Sequence, residues 1–118
     1  MKIFLRYFAH QIHISPDPAI LTIGSPVEWE LFSDGLNLPQ LRWTVYFDHG
    51  TPFPQGQHIF TAVTLLAAIP SRSSVIGMSH VGQLGPFVAV SSGDYKYGVR
   101  VEAFNQIMAD DDPFLIVR

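Results

Sequence analysis

Three short runs in this chain alternate apolar and polar residues with a period of two. In "VEWELF", Val27, Trp29 and Leu31 share one side, and Glu28 and Glu30 share the other. In "LRWTVYF", Leu41, Trp43, Val45 and Phe47 oppose Arg42, Thr44 and Tyr46. In "YKYGVRV", Tyr95, Tyr97, Val99 and Val101 oppose Lys96, Gly98 and Arg100. A strand with one buried face produces this period, because successive side chains point to opposite sides of a sheet. A helix gathers none of these sets on one stripe. Nine prolines and nine glycines punctuate the chain. The runs between them are rich in Val, Ile, Phe, Tyr and Trp, as in an all-β sandwich or barrel.

Further runs extend the pattern. "KIFLRYF" and "QIHIS" read as one early strand with a break near Ala9. "AILTI" follows the turn "SPDP", and Gly24-Ser25-Pro26 turns the chain into "VEWELF". "QHIFTAVTLL" is long enough for a strand, "GPFVAVSSGDY" supplies another that ends at a Gly93-Asp94 turn, and "PFLIVR" closes the chain. Residues 66–80 are ambiguous and fit a short helical turn, a strand or a loop. The expectation is a single domain over residues 1–118, with about seven to nine strands. At 118 residues the chain can bury a core without staples.

Three stretches together resemble a known family. "ISPDPAILTIGSPVEWEL" places a proline turn, a strand, a glycine turn and a tryptophan-bearing strand in succession. "LPQLRWTVYF" brings a proline before an apolar strand, and "SSGDYKYGV" has a Gly-x-Tyr-x-Tyr strand that "PFLIVR" follows later. The set resembles cupredoxin-like or immunoglobulin-like proteins, which implies an all-β, Greek-key β-sandwich. The copper ligands that the cupredoxin resemblance would imply are missing. Gln40 stands where the first histidine is expected, and Gly98, or neighbouring Val99, stands at the cysteine position. The loop "EAFNQIMADDD" has no histidine, and Met108 alone is no ligand set. A blue-copper centre needs two imidazoles and a thiolate, and the chain has no cysteine. The resemblance therefore implies a scaffold without a type-1 copper site, and no cofactor is expected.

Composition removes other classes. Seven basic residues stand against ten acidic ones, net charge -3, and the basic ones are scattered. There is no cationic stripe to neutralise phosphates, so nucleic acid is not an expected partner. Lack of cysteine excludes disulfides, zinc-thiolate sites and thiol nucleophiles. Arg6 interrupts the apolar opening, which argues against a secretion signal, and no apolar run reaches the roughly 20 residues of a membrane span. A soluble cytoplasmic protein is the expectation.

The histidines offer one candidate centre. His49 and His58 bracket "GTPFPQGQ", and Asp48 adjoins His49, so a two-histidine, one-carboxylate metal site for zinc or ferrous iron is conceivable. The plainer alternative is a proline-stiffened surface loop with polar ends. His10 and His13 fall on opposite faces of a regular strand, and His80 is expected in solvent. Asp110, Asp111 and Asp112 could hold calcium, but such a run also solvates an ordinary turn, and the EF-hand spacing is absent. Glu28 and Glu30 lie about 7 Å apart along one strand face, a spacing open to a hydrolase pair or to a solvated face. No nucleophile elbow or phosphate loop occurs, so no catalytic residues are assigned.

Trp29, Trp43, Tyr95 and Tyr97 fall on apolar faces and are expected in the core. Phe32, Tyr46 and Phe53 are expected outside, as a surface for a partner. Charged residues make up 14%, well below the usual quarter. The reading that follows is a non-catalytic protein that binds a protein partner or itself, most simply as a homodimer. Its alternatives are the His49/His58/Asp48 metal site and a carbohydrate-binding module using coplanar exposed aromatics such as Tyr46.

Overall fold

Two of the alternating runs become inner strands of two different sheets, and the third spans the end of one strand and most of the next. The structure is a computed structural model that describes residues 1–34, 40–65 and 78–118. Its strands are β1 (Lys2–Phe8), β2 (Gln11–Ser15), β3 (Ala19–Leu21), β4 (Pro26–Ser33), β5 (Gln40–Tyr46), β6 (Ile59–Leu65), β7 (Ser79–Val88), β8 (Gly93–Lys96), β9 (Gly98–Ala103), β10 (Gln106–Asp111) and β11 (Phe114–Val117). Sheet I has the order β2-β1-β4-β7, sheet II the order β10-β9-β5-β6, and a small sheet III the order β3-β11-β8. None of them closes into a barrel. β1 runs parallel to β4, and β3 parallel to β11, while the other neighbours are antiparallel. No helix among the described residues is long and apolar enough to cross a membrane.

The all-β expectation is met, but with eleven strands among the described residues instead of seven to nine. Tight reversals account for part of the difference. Ala9 and His10 take left-handed φ values of 52° and 60° and fold β2 back on β1, pairing Phe8 with Gln11. Phe104 and Asn105, at 53° and 59°, do the same between β9 and β10, where the sequence suggested a loop. Two-residue hairpins of this hand favour Asn-Gly or Asp-Gly, so Ala-His and Phe-Asn announce them poorly. Tyr97 N–H donates to Pro113 O at 3.0 Å, one step beyond the Lys96–Phe114 pair, and there the chain passes from β8 in sheet III to β9 in sheet II. Gly93 and Asp94 open β8 instead of forming a turn. Of the ambiguous stretch, residues 66–77 lie outside the described residues, and Ser79 and His80 begin β7.

The inner faces of the sheets meet in one core. Ile3 and Leu5 of β1 and Val27, Trp29 and Leu31 of β4 pack with Leu41, Trp43 and Val45 of β5, Val99 and Val101 of β9, and Leu115 and Val117 of β11. At its centre the Trp29 ring contacts Phe47, Phe53, Phe60, Phe87 and Tyr97, with centroids 5.8–6.3 Å away. Both indoles are satisfied. Trp29 Nε1–H donates to Tyr97 Oη at 3.2 Å, and Trp43 Nε1–H donates to Thr64 Oγ1 at 3.0 Å. A buried indole left without an acceptor would forfeit about 1–3 kcal/mol.

Burial pushes the Tyr97 hydroxyl well above the ordinary tyrosine range. The Trp29 hydrogen bond opposes that shift, and the charges of Asp17 and Asp111 add to it. Burial, with Asp34 second, raises Tyr7 in the same direction. An unfolded chain would ionise these groups near pH 10 while the fold keeps them protonated. Their contribution to stability is therefore complete below about pH 10 and declines as pH rises beyond it. Tyr97→Phe is expected to lower stability by about 1–3 kcal/mol at neutral pH, by orphaning the Trp29 N–H. It should also flatten the alkaline decline. Urea midpoints measured on either side of pH 10 check both effects, and an unchanged alkaline slope would contradict them.

Several exposure expectations fail. β4 lies between β1 and β7. Phe32, expected outside, is 2% exposed and lies against Phe4 and His80, with centroids at 5.9 and 5.2 Å. Glu30, expected on a solvated face, is 8% exposed, with Lys2 Nζ at 3.6 Å and His80 Nε2 at 3.6 Å. His80 is thus half-buried in a charged cluster instead of free in solvent. Tyr95, expected in the core, is half-buried at its margin and donates its hydroxyl to Ser91 O and Ser92 O, each at 3.1 Å.

Candidate functional site

The positions that the copper resemblance singled out do not converge. Arg42 pairs with Glu102 and Tyr46 with Gly98, so β9 runs antiparallel beside β5. Gln40 begins β5 and Gly98 faces its last residue. Strand rise separates their positions by about 20 Å, so these two cannot share one metal. Gly98 is buried beneath an aromatic ring. A Cβ built there would overlap the ring of Tyr46. Met108 is half-buried against the core beside a β-bulge between Ile107 and Ala109.

The His49, His58 and Asp48 candidate does not assemble either. All three are exposed. His58 Nδ1 turns back to Gly56 O at 3.0 Å, while Asp48 and His49 line a shallow hollow of about 180 Å³ with Lys96 and Asp112. Among the described residues, no three His, Cys, Asp or Glu side chains are grouped to hold a metal ion. Within the Asp110–Asp112 run, Asp111 Oδ1 accepts from the Asp112 N–H at 2.8 Å, a bond between neighbours in sequence. Glu28 and Glu30 both reach Lys2 Nζ, at 3.9 and 3.6 Å.

The proposed aromatic surface is corrected as well. Phe53 is 3% exposed, inside the Trp29 cluster, and Phe32 is buried on sheet I. Tyr46 alone remains at the surface. The Arg100 guanidinium lies 5.0 Å from its ring centroid, and Gly98 lies against the ring.

What the structure does expose is the outer face of sheet II. Register aligns Val63, Arg42, Glu102 and Ile107 in one row across β6, β5, β9 and β10. Thr61, Thr44, Arg100 and Asp110 form the next row, and Ile59, Tyr46 and Gly98 the third. Ile59, Val63 and Ile107 are 56%, 53% and 58% exposed, and Phe104, at the hairpin tip, is 68% exposed. A shallow groove of about 370 Å³ runs over this face between Val63 and Phe104, with Arg42 and Glu102 in its wall. The alternation could have signalled these residues: "IFTAVTL" reads inward at Phe60, Ala62 and Thr64, and so outward at Ile59, Thr61 and Val63. A second group of exposed apolar residues, Ile20, Ile23, Val88, Val90 and Phe114, lies around sheet III.

No family model matches the chain, and a search of curated proteins returns none similar to it.

Proposed function

We propose that the chain is a non-catalytic, cupredoxin-like Greek-key β-sandwich without a type-1 copper site, and that it works by associating with protein, first of all with its own copy as a dimer. The parallel β1–β4 pair and the two four-stranded sheets sharing one core support the sandwich. The observation that carries the association is the uncovered apolar row on β6. Ile59 and Val63 stand more than half exposed there, beside neutral Thr61. Burying side chains of this kind stabilises a complex by about 25 cal/mol per Å² of apolar surface, before the cost of association.

Light scattering across a concentration series tests this. The expected mass is twice the 13.2 kDa of the chain. The double substitution Ile59→Lys, Val63→Lys should return the monomer. Ile20→Lys, in the other exposed apolar group, should leave the dimer intact. A 13.2 kDa mass at every concentration would overturn the proposal.

A further inference from the structure

The strand edges of this molecule are not equal. β10 carries Asp110 and Asp111 and a register shift between Ile107 and Ala109. β2 has five residues. β7 contains Pro86 and meets β4 with two register shifts. In sheet III, β3 has three residues and β8 has four. Short length, charge, proline and bulges all discourage another strand from adding to an edge. β6 has none of these. Its seven residues, Ile-Phe-Thr-Ala-Val-Thr-Leu, carry no charge, proline or glycine and pair with β5 in unbroken register. Among the described residues, no strand lies on its other side.

The direction of its backbone groups follows from one hydrogen bond. Phe47 N–H donates to His58 O at 2.7 Å, which makes 47 and 58 a hydrogen-bonded pair in line with the β5–β6 register. Hydrogen-bonded and non-bonded pairs alternate in an antiparallel ladder. Phe60, Ala62 and Thr64 therefore bond to β5. Ile59, Thr61 and Val63 direct their N–H and C=O groups to the free edge, and the same three residues carry the exposed outer side chains.

We infer that β6 of one copy pairs antiparallel with β6 of a second copy, Thr61 opposite Thr61 on a two-fold axis, joining the two four-stranded sheets into one of eight strands. This rests on the dimer proposed above and names its surface and register. The occupant is a second copy because the edge complements itself. Ile59 of each copy meets Val63 of the other, and Thr61 meets Thr61. Cross-strand pairs of these kinds stabilise sheets. No charge on the strand opposes its own image. The three outward residues of each copy exchange their backbone bonds in that register and in no offset one as completely.

The chain has no cysteine, so one introduced thiol reports the contact. Directly opposed, hydrogen-bonded residues have Cα atoms about 5.5 Å apart, within disulfide reach. Thr61→Cys, incubated with oxidised glutathione, is expected to become a covalent dimer. Thr44→Cys, one strand further in, should remain single, since its two copies would stand about 14 Å apart across three strand spacings. Thr61→Lys and Thr61→Glu, each melting like the parent, should be monomers alone and form a mixed dimer when combined. A dimer by light scattering in which Thr61→Cys stays single, or Thr44→Cys links instead, would overturn the edge pairing and leave the association standing. A parent protein that is monomeric throughout would overturn both.

Discussion

Trp29→Ala is expected to cost about 3–5 kcal/mol, the range for emptying an aromatic site in a packed core. The indole is fully buried and touches five other aromatic rings. Small collapse cannot refill its space, because those rings come from both sheets and from the Phe53 segment. The loss also leaves the buried Tyr97 hydroxyl without its donor. A domain of this size is stable by only about 5–15 kcal/mol, so the melting temperature should fall on the order of 10–20 °C. Thermal unfolding followed by circular dichroism reads the effect. Trp29→Phe, which keeps most of the ring volume, should lose distinctly less. A shift of a degree or two for the alanine variant would mean that the cluster is loosely packed.

Gly98→Ala should be the most damaging single-methyl change in sheet II. The new methyl would overlap the Tyr46 ring, which Arg100 flanks at 5.0 Å. Overpacking of this kind typically costs about 1–3 kcal/mol. Because the clash involves one ring, Gly98→Ala should be largely rescued by Tyr46→Ala, and a double-mutant cycle in urea should show strong coupling between the two sites. Additive effects would show that the ring does not depend on the glycine. The same packing bears on copper. Gly98→Cys would supply a thiol under Tyr46, about 20 Å along β5 from Gln40 by strand rise, and is not expected to develop a blue thiolate-to-copper band.

The inner face of the fold was legible because it depends only on parity. Trp29, Trp43, Tyr97, Val99 and Val101 are buried as the alternation required. The outer faces were not, because parity says that a side chain points away from the core and not whether something covers it. Phe32 and Glu30 obey the alternation and are still buried, Phe32 against Phe4 and His80, and Glu30 beside Lys2 and His80. Phe53 lies in a proline-flanked loop that reads as surface, but the loop folds its ring into the Trp29 cluster. The β1–β2 and β9–β10 hairpins were obscure because Ala-His and Phe-Asn occupy positive φ without the usual glycine.

From the residues alone came the all-β class, the identity of the core face and the lack of any thiolate for copper. Each is a property of local alternation or of composition, and neither needs a partner strand to be known. Strand order was decided only in three dimensions. It set Gln40 and Gly98 at opposite ends of β5, enclosed Phe32, and, among the described residues, left β6 at the rim of its sheet. The pattern "IFTAVTL" is equally suited to a central strand and to an edge. Which of the two it becomes depends on long-range pairing, because a strand's free hydrogen-bonding groups are defined only by the neighbour it lacks.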